Sequence, residues 1–112
     1  SHHFAQWYMT EDSIPCCPHC QGTLKPDIVL FEENLPVDTW RLAAQHSRQA
    51  DVFLVVGSSL EVMPAAGLPY TAVENNATLI INNYSSTYLD DNATLLLPMD
   101  VAEALPGIMR YL

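Results

Sequence analysis

The sequence is poor in several kinds of residue that particular classes of protein require. Its 112 residues include four Lys or Arg, three Cys and four Gly, and the net charge is -9. A chain with so few cations is not suited to bind a phosphate backbone or an anionic membrane surface, so we expect no nucleic-acid and no membrane partner. No apolar run approaches the ~20 residues that cross a bilayer. The polar N-terminus lacks the apolar segment of a signal peptide, which predicts an intracellular, cytoplasmic protein.

All three cysteines lie within residues 16–20, where Cys17 and Cys20 form a C-x-x-C pair with Cys16 beside it. Thiols so closely spaced cannot make a disulfide framework. A C-x-x-C pair typically supplies two of the four ligands of a tetrahedral zinc site, and the turn-forming Pro18 and Gly22 favour that interpretation. The remaining sequence has no second pair. The alternatives are inert buried thiols or a redox pair.

The hydrophobic pattern predicts strands that alternate with helices. We expect strands at 27–31, 51–56, 78–82 and 94–97, and helices that begin at Pro36, at Pro64 and at Asp100, the last ending near Tyr111. The apolar run at 52–56 is typical of a strand covered on both faces. Pro69 and Pro106 are expected to restrict or kink their helices. Alternation of this kind predicts a parallel α/β sheet, about half of a doubly wound domain.

Polar residues follow three of the predicted strands. They are the groups Gly57-Ser58-Ser59, Asn82-Asn83 and Met99-Asp100-Val101. Ligands of open α/β sheets bind at the carboxyl ends of strands, where a Gly-Ser-Ser turn suits a phosphate or ribose and an Asn suits ribose hydroxyls. The alternative is that Gly and Asn only form turns. Ser58 and Ser59 lack a G-x-S-x-G context, so a hydrolase nucleophile is not expected.

Four segments resemble, in order, those of sirtuins, the NAD-dependent protein-lysine deacylases. They are IPCCPHCQGTLKPDIVLFEENLP, ADVFLVVGSSLEVMPAAGLP, ATLIINN and DVAEALPGI. The resemblance extends over nearly the whole chain from Ile14. It implies the C-terminal half of a sirtuin, with residues 1–24 the remnant of a zinc-binding module and 25–112 the C-terminal half of a Rossmann-like NAD-binding domain. Cys17 and Cys20 match the second pair of the family's zinc ribbon, whose first pair is expected upstream.

The resemblance also assigns roles to individual residues. It implies that NAD is bound by Gly57, Ser58, Ser59, Asn82, Asn83, Tyr84 and Val101. The acyl-lysine protein substrate is expected to add a strand between residues 31–34 and 60–63, at Phe31, Glu32, Glu33, Leu60, Glu61 and Val62. Two motifs depart from the family pattern, because Phe-Gly-Glu is replaced by Phe31-Glu32-Glu33 and Cys-Gly-Gly by Cys20-Gln21-Gly22.

No residue of this chain corresponds to the catalytic residues that the family uses. In a complete sirtuin the acyl oxygen attacks the nicotinamide ribose, nicotinamide leaves, and a general-base His helps to pass the acyl group to ADP-ribose. That His and the Gly-rich phosphate loop belong to the N-terminal half of the domain, which is the expected partner. We therefore expect no catalytic residue here and an inactive isolated chain. The alternative is a non-enzymatic nucleotide- or partner-binding module with a zinc knuckle.

Overall fold

A computed structural model describes residues 14–25 and 27–110. The chain divides into two compact units, Ser1–Asn34 and Leu35–Leu112. The division that the resemblance implies, after residue 24, stays a prediction.

The described part of the first unit is built around the cysteines. Cys16 and Thr23 form an antiparallel bridge, and the amide of Leu24 donates to the carbonyl of Pro15 at 2.8 Å. Inside this hairpin, Gln21 has the left-handed φ of 60°. Within it the amide of Cys17 donates to the carbonyl of Gly22 and the amide of Gln21 to the carbonyl of Cys17, so the chain turns tightly between Cys17 and Gly22.

The strand predicted at 27–31 is wrong. Residues 28–30 have no regular secondary structure and pair with no strand in the described parts of the chain, and Ile28, Val29, Leu30 and Phe31 are all exposed. Their hydrophobicity predicted a buried strand, but a strand also needs a neighbour for its main-chain groups, and the sequence pattern carries no information on that.

The second unit is an α/β unit with a parallel sheet, as predicted. Its elements are α1 (Val37–Gln49), β1 (Val52–Val56), α2 (Leu68–Glu74), β2 (Thr78–Asn82), β3 (Leu95–Leu97) and α3 (Val101–Met109), with 3-10 turns at Ala65–Gly67 and Asp90–Asn92. The strands lie in the order β1-β2-β3. Val52 to Val56 pair in parallel with Thr78 to Asn82, and Ile80 to Asn82 with Leu95 to Leu97. All three strands therefore end at the same edge of the sheet.

The core lies on one face of this sheet. Its buried members are Val55, Leu60, Ala66, Leu79, Ile81 and Leu89, with Phe53, Val73 and Ala93 packed against them. Alternate residues of β1 point the other way, and Val52, Leu54 and Val56 are 57%, 44% and 37% exposed. The prediction that β1 is covered on both faces is therefore wrong for this chain, because an apolar run does not reveal whether the second layer is present.

The helix predicted at 64–76 is divided. A 3-10 turn comes first and α2 begins at Leu68, with Pro69 in its first turn. Proline has no amide hydrogen and a fixed φ, so the start of a helix is where it fits. α2 ends where Asn76 adopts a φ of 68° and the amide of Ala77 donates to the carbonyl of Ala72, which is a Schellman cap.

The last helix begins as predicted. The carboxylate of Asp100 accepts a 2.7 Å hydrogen bond from the amide of Ala102. Asp100 and Glu103 also have the spacing that predicts a capping box, but the Glu103 amide donates to the Asp100 carbonyl and the Glu103 side chain does not bond back to the Asp100 amide, so the reciprocal box is not formed. α3 continues through Pro106 to Met109; the predicted end at Tyr111 lies outside the described residues. No described helix has the length and hydrophobicity that crossing a membrane requires.

Candidate functional site

The common carboxyl end of the strands, here called the strand-end edge, consists of residues 57–59, 82–84 and 99–101. Gly57 follows β1 with a φ of 57°, a conformation that glycine adopts easily and other residues adopt at a cost. Its amide donates to the carbonyl of Asn82 at 2.9 Å. A Cβ built on Gly57 would meet no atom within 4 Å. The backbone is thus fixed in a turn that opens into free space.

The two serines after Gly57 are exposed. Ser58 Oγ accepts a 3.3 Å hydrogen bond from the amide of Leu60, which holds the loop closed. Leu60 itself is buried and has a φ of 57°. Ser59 is left at the surface of the loop, where its hydroxyl is available to a ligand.

Asn82 is the buried member of the edge, 1% exposed. Its Nδ2 donates to the carbonyls of Leu97 and Met99, each at 2.8 Å. Its Oδ1 is buried and has no hydrogen-bond partner. Both amide hydrogens are therefore used within the protein, so Asn82 could meet a ribose hydroxyl only as an acceptor, through Oδ1.

Asn83 and Tyr84 extend from the end of β2. Asn83 Nδ2 donates to the carbonyl of Ser85 at 2.9 Å and to its Oγ at 3.2 Å. Tyr84 is 72% exposed, and its hydroxyl donates to Asp100 Oδ2 over 3.5 Å. This last contact links the loops after β2 and β3. It was not predictable, since nothing local relates two residues so far apart in sequence.

Val101 is the first residue of α3 and is partly exposed. The structure therefore brings the predicted NAD-binding residues of all three loops to one edge of one unit. It adds Asp100, which the sequence analysis placed after the last strand and at the start of a helix but did not assign to the NAD site.

The cysteine knuckle forms the second candidate site. The pKa of the Cys17 thiol lies below its ordinary value, because the main-chain amides of Cys20 and His19 and the Cys20 thiol hydrogen-bond to its sulfur. Donors that stabilise a thiolate also suit a metal ligand. Across residues 14–25 and 27–110, no group of three or more His, Cys, Asp or Glu could hold a metal ion. The described residues thus contain the two thiols of Cys17 and Cys20 in one tight turn, with no larger group of metal-binding side chains.

The predicted substrate residues fall in both units. Phe31 is 83% exposed, Glu32 has a φ of 69°, and both carboxylate oxygens of Glu33 lie 2.7 Å from Lys25 Nζ. Glu32 stands where the family has Gly, and its left-handed backbone is the conformation that Gly would favour. In the second unit, Glu61 and Val62 are exposed whereas Leu60 is buried.

A shallow groove of about 360 Å³ lies elsewhere, at the amino half of β1. Its lining residues are Ala43, His46, Ser47, Ala50, Val52, Phe53, Leu54 and Leu68. It is mostly apolar and contains none of the predicted site residues.

Comparison with known proteins gives consistent results. A model of the Sir2 family matches residues 2–64. The chain is 42% identical over 109 residues to an NAD-dependent protein deacetylase of Haloarcula marismortui, covering 97% of this chain and 42% of that protein. It is 42% identical over 98 residues to an NAD-dependent protein deacylase of Mycobacterium leprae, covering 88% of this chain and 41% of the relative.

Solved structures show the same likeness. One described as "Sir2-p53 peptide-NAD+" superposes with a TM-score of 0.83 at 40% identity, covering 96% of this chain and 44% of that one. Another, "Structure of Sir2Tm bound to a propionylated peptide", gives 0.84 at 39% identity, covering 98% and 46%. The chain thus spans less than half the length of the relatives that it matches.

Proposed function

The chain belongs to the Sir2 family, and we propose that it is the NAD-holding part of an NAD-dependent protein-lysine deacylase. Related proteins carry that activity in their names, but the chain covers 42% of the first of them. Because the chain covers only part of that relative, the deacylase activity of a whole enzyme is a proposal for this protein. A cytoplasmic location, which the sequence predicts, is proposed as well.

The observation that carries the proposal is the convergence at the strand-end edge. Gly57 turns the chain with a left-handed φ into open space, and exposed Ser58 and Ser59 follow it. The end of β2 lies beside this turn, and the end of β3 lies beside that of β2, because the strands are parallel and in the order β1-β2-β3. Such an edge is where open α/β sheets bind nucleotides. The Gly57-Ser58-Ser59 turn suits a phosphate or ribose, and the region of Asn82 to Tyr84 and Val101 suits the adenosine end.

When bound, NAD would supply the electrophilic nicotinamide ribose that accepts the acyl group. The residues of this chain would hold and orient the dinucleotide. The exposed hydroxyl of Ser59 and the turn amides would donate to oxygens of the dinucleotide. Asn82 holds the loop after β3 in position through its two amide hydrogens. We also propose that the acyl-lysine substrate is bound by two segments, Phe31 to Glu33 and Leu60 to Val62.

Zinc is the second group that we propose for this protein. Cys17 and Cys20 fit two positions of a tetrahedral sulfur site, since the hairpin turns tightly between them and main-chain amides stabilise the Cys17 thiolate. Two further ligands would be needed. Zinc would have a structural role here, fixing the knuckle of the first unit, in keeping with the predicted zinc-ribbon half.

The proposal is tested by titrating the protein with NAD while recording amide NMR spectra. We expect saturable shifts at Gly57, Ser59, Asn83 and Tyr84, with the knuckle amides unchanged. Shifts confined to other residues, or no shift at all, would contradict an NAD site at this edge. Competition by ADP-ribose but not by nicotinamide alone would indicate that the adenosine and phosphate end is the part held here.

A further inference from the structure

We propose that Glu32 selects acyl-lysine substrates that carry a positively charged side chain within about two residues of the acylated lysine. The inference rests on the proposed function and deepens it, because it names the class of protein segment that the first unit would accept. It concerns a position at which this chain departs from the family pattern, since Glu32 stands where the family has Gly.

The first step concerns the turn at residues 30–33, which is held by three contacts. The main-chain amide of Glu33 donates to the carbonyl of Leu30 at 3.2 Å, and the Leu30 amide donates to Glu33 Oε2 at 2.9 Å. Lys25 Nζ lies 2.7 Å from both carboxylate oxygens of Glu33. The Glu33 carboxylate is therefore occupied in closing the turn, and the turn fixes the position of the residue before it.

The second step concerns Glu32, which lies at the third position of this turn with a φ of 69°. A positive φ at that position is characteristic of type II turns and is usually supplied by Gly. The Glu32 side chain is exposed and takes part in none of the hydrogen bonds and ion pairs found among the described residues. A charged side chain thus stands where the backbone favours Gly, and no contact within the described part of the chain accounts for it.

The third step concerns the apolar segment that leads into the turn. Its side chains, Ile28 to Phe31, are exposed, and the main-chain groups of Val29 and Phe31 make no hydrogen bond with any residue that the structure describes. Unpaired main-chain groups beside exposed apolar side chains are suited to receive an extended peptide as an added strand. Residues of such a peptide advance by about 3.3 Å each, so the Glu32 carboxylate can reach side chains close to the residue that docks beside it.

The fourth step concerns charge. Lys25 is the sole lysine of the sequence, and the next cation along the chain is Arg41. Because Lys25 is paired with Glu33, its charge does not offset that of Glu32. The chain has a net charge of -9, and a negative potential attracts cationic side chains. An acylated lysine is itself neutral, so the selection acts on its neighbours, where Arg or Lys is favoured and Asp or Glu is repelled.

The test measures the dissociation constants of three acetyl-lysine peptides for the full chain, from the amide NMR shifts of residues 28–33 at low salt. The peptides are otherwise uncharged and differ only in the two residues that flank the acetyl-lysine, which are both Arg, both Gln or both Glu. Glu32→Gln removes the charge and keeps the length of the side chain, whereas Glu32→Gly also suits the left-handed backbone. Glu74→Gln is the matched control, since it removes the same charge from an exposed side chain outside both proposed substrate segments.

We expect the wild type to bind the Arg peptide about two- to fivefold more tightly than the Gln peptide, and to bind the Glu peptide more weakly than either. The preference should decrease as salt is added, because the groups are exposed and salt screens them. It should disappear in Glu32→Gln and Glu32→Gly and persist in Glu74→Gln.

Equal affinities of the wild type for the three peptides, or a preference that survives in both Glu32 variants, would overturn the assignment of Glu32. An equal loss of preference in Glu74→Gln would attribute it to the net charge and would overturn the assignment as well. A wild type that binds none of the peptides would overturn the proposed acyl-lysine site itself, which separates the two failures.

Discussion

The side-chain amide of Asn82 and the main-chain carbonyl of Met99 are joined by a hydrogen bond of 2.8 Å. A second bond of the same length runs from that amide to the carbonyl of Leu97, and the main-chain carbonyl of Asn82 accepts from Gly57. One residue at the end of the central strand thus connects the ends of both neighbours. Because each of these loops carries part of the proposed NAD site, the geometry of the site depends on Asn82.

Replacement of Asn82 should therefore affect stability strongly. Asn82→Ala leaves the carbonyls of Leu97 and Met99 without their donors in a buried place and opens a small cavity. We expect the free energy of unfolding to fall by about 2–4 kcal/mol, measured by urea denaturation followed by circular dichroism.

Asn83→Ala is the matched control for that measurement. Asn83 is the next residue and also donates two hydrogen bonds, both to Ser85, but it is only partly buried. It should change the unfolding free energy by about 1 kcal/mol or less. Equal losses in the two variants would show that the amide of Asn82 does not hold the strand ends together.

Zinc binding should be incomplete in this chain. Cys17 and Cys20 supply two thiolates, and no larger group of metal-binding side chains is found in the part of the chain that the structure describes. Metal analysis after dialysis should give clearly less than one zinc per chain, and Cys17→Ser should remove most of it. Cys16→Ser is the control and should leave the zinc content unchanged. A full equivalent of zinc in the wild type would show that other ligands complete the site.

The turn at residues 30–33 should lose stability as the pH falls into the acid range. The pKa of Glu33 lies below its ordinary value, because the amide of Leu30 donates to its carboxylate and Lys25 bonds to both oxygens. A carboxyl group with a lowered folded pKa stabilises the turn above the unfolded pKa of about 4.3. That contribution is lost as the pH falls through the lower folded value.

An NMR titration of the Leu30 amide should therefore report a midpoint below about 4.3. In Lys25→Met the midpoint should rise toward the ordinary value and stay below it, since the bond from the Leu30 amide remains. A wild-type midpoint at or above the ordinary value would contradict the observed bonds.

The sequence predicted the second unit well because its signals are local. The apolar runs at 52–56 and 78–82, the capping Asp100 and the glycine after β1 each determine conformation within a few residues, and each is confirmed in the structure. The parallel sheet followed from the alternation of these elements.

The remaining features depend on partners that are distant in sequence. Residues 27–31 have the composition of a strand but pair with no strand among the residues that the structure describes, and one face of β1 is partly exposed. The burial of Asn82 and the contact of Tyr84 with Asp100 depend on how the loops after β2 and β3 meet. No periodicity in the sequence encodes such contacts.

The most direct test of the NAD site is a single comparison of wild type with Gly57→Ala, in which melting temperature and NAD affinity are measured on the same samples. The left-handed φ makes alanine unfavourable by about 1–2 kcal/mol, a loss that the fold should survive because the turn lies at the rim of the sheet. The added methyl group points into space that the protein leaves empty and that the dinucleotide would occupy. We therefore predict that NAD affinity falls at least tenfold, about 1.4 kcal/mol, in a protein that still unfolds cooperatively. A destabilised Gly57→Ala protein with unchanged NAD affinity would show that this residue only makes a turn and would contradict the account.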